Sequence, residues 1–106
     1  MDAAGTTPDA NYFGDGSNHS IAWQFNGAAL NDSYSSIYAA YNGWSANVNF
    51  TLPSPGQGLN WYRVTDTCGW AEGSNQVRSP GSEDLLGAQG YVYGLCGRGL
   101  LLLIAK

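Results

Sequence analysis

The run from Asn47 to Gly56 constrains the fold of this chain more than any other. In Asn47-Val48-Asn49-Phe50-Thr51-Leu52, apolar side chains fall on every second residue, the period of a strand with one buried face. Pro53-Ser54-Pro55-Gly56 then removes amide donors and ends the strand. A short run closed by a turn recurs along the chain. Ser20-Ile21-Ala22-Trp23-Gln24-Phe25 precedes Asn26-Gly27, and Ser36-Ile37-Tyr38-Ala39-Ala40-Tyr41 precedes Asn42-Gly43. Asn60 to Thr65 puts Tyr62 and Val64 on one face and Trp61 and Arg63 on the other. An irregular stretch from Asp66 to about Ser82 leads to two last strands, Gly90 to Leu95 and Gly99 to Ala105. No apolar stripe at helical spacing is found, and 15 glycines with 13% aromatic residues suit turns and strands better than helices. A chain of 106 residues has the size of one domain. The expected fold is all-β, an antiparallel two-sheet β-sandwich over residues 20–106, with residues 1–19 as a loosely docked leader. Val48, Phe50 and Leu52 are expected to point inward, and Trp23, in phase with Ile21 and Phe25, is expected in the core.

The last strand departs from strict alternation. Leu100-Leu101-Leu102-Leu103-Ile104 is apolar at both parities, so one face can fill this domain's core while the other needs a second cover. The cover is either a loop or the leader within the chain, or a neighbouring domain outside it; the second reading is preferred.

Several functions are poorly supported. The net charge is −4, the pI is about 4.4, and Arg63, Arg78 and Arg98 form no cluster, so nucleic acid is not an expected partner. The longest apolar run is far shorter than a bilayer-crossing helix, and Met1 leads into polar Asp2-Ala3-Ala4-Gly5, so neither a membrane partner nor a targeting segment is expected. His19 is the single histidine, and no serine or cysteine nucleophile stands in a motif around it. The eight carboxylates lie mostly in turns, where aspartate caps its own backbone. A calcium loop beginning at Asp9 fails at Phe13 and Ser20, where oxygen ligands belong. No catalytic residue, metal or cofactor is therefore assigned. Cys68 and Cys96 lack zinc-type spacing; they are either one disulfide or two reduced thiols. Trp44 and Trp70 follow turn glycines and Trp61 shares a face with Arg63, so these three are the candidates for contact with glycan or with a neighbouring domain, since sugar rings pack on flat aromatic faces.

An ordered string of motifs links the chain to a known family. It comprises Ser36 to Trp44, Val48-Asn49-Phe50-Thr51-Leu52-Pro53, Trp61 to Cys68, and Tyr93-Gly94-Leu95-Cys96-Gly97-Arg98-Gly99 running into the leucine-rich strand and Lys106. From about Tyr12 to Lys106 the chain resembles the C-terminal domain of bacterial isoamylases, the glycogen and starch debranching branch of the α-amylase superfamily. The resemblance implies a parent with a catalytic (β/α)8 barrel that hydrolyses α-1,6 branch points, its carboxylates on the barrel and none of them here. It implies a non-catalytic sandwich that packs on that barrel and stabilises it, with Leu101 and Leu103 as candidate contacts. Residues 1–19 then form the linker from the barrel, and Met1 is expected to be an artificial start. Secreted members resemble the chain at both cysteines, which favours the Cys68–Cys96 disulfide and an extracellular or periplasmic parent; a cytoplasmic parent is the alternative. The expected partners are the barrel and α-glucan, and the expected state is monomeric.

Overall fold

The structure, a computed structural model, describes residues 1–27, 36–69 and 77–106. Among the described residues it contains one short helix, α1 (Ala10–Gly14), and seven strands: β1 (Ser20–Phe25), β2 (Ile37–Asn42), β3 (Val48–Thr51), β4 (Trp61–Asp66), β5 (Asp84–Gly87), β6 (Val92–Leu95) and β7 (Leu100–Ala105). All pairings are antiparallel. One sheet has the order β1-β2-β7-β4-β5, and the other pairs β3 with β6. The two sheets enclose one core. Tyr38, Trp61, Leu101 and Leu103 from the larger sheet join Phe50, Leu52, Tyr93 and Leu95 from the smaller. The strands expected from alternation are present to within a residue or two. Two elements were not legible: β5 spans only four residues, and α1 is a single turn started by Asp9, whose carboxylate accepts the Tyr12 amide at 3.0 Å.

Which face of each strand looks inward follows from register. Ala22 pairs with Ala40 and Ala40 with Leu101, while Trp23 pairs with Ala39 and Ala39 with Leu102. The first row is fully buried in the core; the second lies on the opposite side of the sheet. Trp23, expected in the core, is therefore on the outer face and 37% exposed. The reason is space. Large rings from Tyr38, Trp61, Phe50 and Tyr93 already fill the gap between the sheets, so β1 offers only Ala22 there. Val48, Phe50 and Leu52 point inward as alternation requires, Phe50 and Leu52 being buried and Val48 packing against them.

The leader is held at its first residues more firmly than a loosely docked segment. The Met1 amino group donates to the Ala22 carbonyl and the Ala22 amide donates back to Met1 at 2.7 Å, so Met1 extends the edge of the larger sheet. The Thr51 amide donates to Ala3 at 2.7 Å on the smaller sheet. One short segment thus covers the open edges of β1 and β3, where unpaired amides would otherwise invite association. Deletion of residues 1–5 should lower stability by about 2–4 kcal/mol, from lost backbone hydrogen bonds and the packing of Met1 and Ala3. Denaturant unfolding checks the loss, and light scattering should detect self-association through the uncovered edges.

At the opposite end of the larger sheet, the turns after β2, β4 and β6 are locked together. Cys68 follows β4 and Cys96 follows β6, and their disulfide joins the two sheets with a Cα–Cα distance of 5.9 Å. Asn42, fully buried, donates its carboxamide to the carbonyls of Ala46, Leu95 and Cys96 at 2.9, 3.1 and 3.0 Å and accepts the Trp44 amide at 3.0 Å. Gly97 lies so close to Ser45 that a Cβ there would sit 2.4 Å from its carbonyl oxygen, which only glycine avoids. Beside the disulfide, Asp66 accepts from the Cys68 amide and from the Tyr93 hydroxyl, and burial together with that bond pushes the Tyr93 phenol well above its ordinary pKa. Arg63 donates to Tyr93 and to Asp84, which also receives Arg78.

Two outcomes follow from this end of the molecule. With the cysteines 28 positions apart in sequence, replacing both by serine should destabilise the fold by roughly 3–4 kcal/mol, read as a lower urea midpoint that added reductant reproduces in the parent sequence. Asp84 gives a pH dependence. Burial opposes its ionisation, but hydrogen bonds from Arg78 and Arg63 outweigh this and hold its carboxyl below the ordinary value. Because the unfolded chain then binds protons first, stability present at neutral pH should fall as pH drops below about 4. Asp84→Asn should make that acid limb shallower in unfolding curves measured from pH 7 to pH 3.

Candidate interdomain face

The outer face of the five-stranded sheet is built from residues of the opposite parity to the core, and register arranges them in three cross-strand rows. Ile21, Tyr41 and Leu100 form one; Trp23, Ala39, Leu102 and Thr65 the next; Phe25, Ile37, Ile104, Tyr62 and Leu85 the third. No charged side chain occurs in any row. Trp23, Phe25, Tyr41, Leu85 and Leu100 are exposed, whereas Ala39 and Ile104, in the middle, are 94% hidden though neither belongs to the core cluster. At one margin the Lys106 ammonium lies 4.6 Å from the centre of the Tyr62 ring. A sheet face in water normally alternates polar with apolar residues; contiguous large side chains across four strands mark a surface made to be covered.

The structure redistributes the residues singled out from sequence. Leu101 and Leu103, taken as contacts for a neighbouring domain, are fully buried in this domain's own core; register places them opposite Ala40 and Tyr38 on the inner side. Leu100 and Leu102 occupy the face that those two were expected to hold. Trp61 is likewise fully buried, packed against Tyr38 with ring centroids 5.9 Å apart, and its indole N–H donates to the Pro53 carbonyl at 2.8 Å; it cannot touch a glycan. Trp44 is 38% exposed and stacks on His19, with ring centroids 4.3 Å apart. Trp70 lies outside the described residues. Trp23, Phe25 and Tyr41 were missed as surface residues. The available signal was the two-sided apolarity of β7, since any strand paired beside it must share its outer face.

The sulfurs of Cys68 and Cys96 and a carboxylate oxygen of Asp66 lie within 4.8 Å of one another, a grouping with the atom types of a metal site. The arrangement does not suit one. Both sulfurs are consumed in the disulfide, and both Asp66 oxygens accept hydrogen bonds. Asp84, with two arginines on one oxygen, is equally committed.

Fold and surface together define a class: a small β-sandwich module cross-linked between its sheets and carrying, among the described residues, one large apolar outer face. The family model described as isoamylase, C-terminal, matches residues 1–104, and the chain belongs to this family. It is 54% identical to an isoamylase of Pseudomonas amyloderamosa over 103 residues, and 55% identical to an isoamylase of Flavobacterium sp. over 102 residues. These alignments cover 97% and 96% of this chain but 13% of either relative, so the chain spans only a small part of the length of the proteins it matches.

Proposed function

We propose that this domain is a non-catalytic accessory unit of a debranching enzyme whose barrel hydrolyses α-1,6-glucosidic branch points of glycogen and amylopectin, and that it docks on that (β/α)8 barrel through the outer face of its larger sheet. The observation that carries the reading is the three-row apolar face, which has no charged member and no counterpart within the domain's own core. Family membership over nearly the whole chain, with only 13% of each relative covered, supports a large remainder of the parent as the occupant. The domain's role is mechanical. Covering exposed Trp23, Phe25, Tyr41 and Leu100 removes apolar surface from water on both partners, each side chain worth about 1–2 kcal/mol because it is already partly covered. The disulfide supports a parent that works outside the cytoplasm, in the periplasm or the medium. We take the parent to be monomeric, with this face satisfied within one chain.

The test uses the parent enzyme and the isolated 106 residues side by side. Trp23→Ser with Leu100→Ser should hasten thermal inactivation of the parent, while the isolated domain keeps its unfolding midpoint to within a few degrees. Equal inactivation of altered and unaltered parents would overturn the docking assignment. The isolated domain should release no reducing ends from pullulan or amylopectin, and release abolished by replacing one of its carboxylates would overturn the accessory role.

A further inference from the structure

We propose that the groove beside His19, backed by Trp44, binds a chain of neutral sugar rings. The groove encloses about 210 Å³ and is lined by Tyr12, Asn18, His19, Ser20 and Ile21. None of these carries a fixed charge, and the lining combines ring faces with hydrogen-bonding groups, which suits an uncharged, hydroxyl-rich ligand. Aromatic faces and hydrogen-bonding groups lie side by side. His19 stacks on the exposed Trp44. Sugar rings pack their C–H faces on such surfaces, while the Asn18 side-chain carbonyl and the Ser20 hydroxyl offer hydrogen bonds to hydroxyl groups. The walls are fixed in advance. The Tyr12 hydroxyl donates to the Ser20 carbonyl, the Asn18 side-chain amide to the Tyr12 carbonyl at 3.0 Å, and the Gly43 backbone amide to the His19 carbonyl at 2.6 Å. A ligand therefore meets a site that needs little ordering on binding. The choice of an α-linked glucan among neutral sugars rests on the debranching reading above; the groove would hold a branch or chain end near the barrel without acting on it.

Titration of the isolated domain with maltoheptaose, followed by amide chemical shifts and tryptophan fluorescence, tests this. Saturable shifts centred on residues 18–21 and 43–45 are expected, with Trp44→Ala and Asn18→Ala each weakening binding about tenfold and Trp44→Ala leaving the thermal midpoint near the parent value. Trp44→Phe should retain most of the affinity, since a ring face remains. The absence of saturable shifts, or saturable shifts that neither variant alters, would overturn the site. Equal affinity for cellohexaose would overturn the α-glucan assignment. Failure of the debranching reading is separately visible, because it is read from reducing ends released by the whole enzyme and not from this titration.

Discussion

Strand β7 has to satisfy two surfaces at once, and the rest of the molecule is arranged around that demand. It lies between β2 and β4, so its inward residues Leu101, Leu103 and Ala105 sit at the middle of the core while Leu100, Leu102 and Ile104 sit at the middle of the outer face. No edge position would require this. A polar residue at either parity would leave its hydrogen-bonding groups among hydrocarbon side chains. The unbroken leucine run is the sequence-level record of a central strand that is apolar on both faces.

This double apolarity explains what was legible and what was not. Strand positions came through because Val48, Phe50 and Leu52 alternate against polar neighbours and because Asn-Gly and Pro-Gly steps mark the turns. The direction of each strand's faces did not come through where both sides are apolar. Trp23 was expected inside since it is large and in phase with Ile21 and Phe25, yet the inner position went to Ala22 because rings from other strands had filled the space. Leu101 and Leu103 were placed on the wrong side by the same ambiguity: in a run of five apolar residues, period-two reasoning cannot choose a parity without the partner register. Trp61 shows the limit from another direction, since sharing a face with Arg63 suggested exposure. That face is inward, and Arg63 is accommodated there by Tyr93 and Asp84.

The cross-linked end has a different logic. Asn42, the Cys68–Cys96 bond and Asp66 are polar or covalent devices packed within one small region, and each ties a turn of one sheet to a residue of the other. A sandwich whose smaller layer has just two described strands has little apolar area with which to hold that layer in place. Directional bonds at one end, together with the leader that bridges β1 and β3 at the sheet edges, compensate for it.

The position of β7 also decides when the domain can exist at all. Of the described strands, the last in chain order is the one between β2 and β4, so without it the larger sheet is two separate pieces with a gap where its middle belongs. Losing Leu100–Ala105 would therefore excise a keystone from the larger sheet. Until β7 has been made, β2 and β4 each lack one partner, and a nascent chain waits with its greasiest segments unshielded.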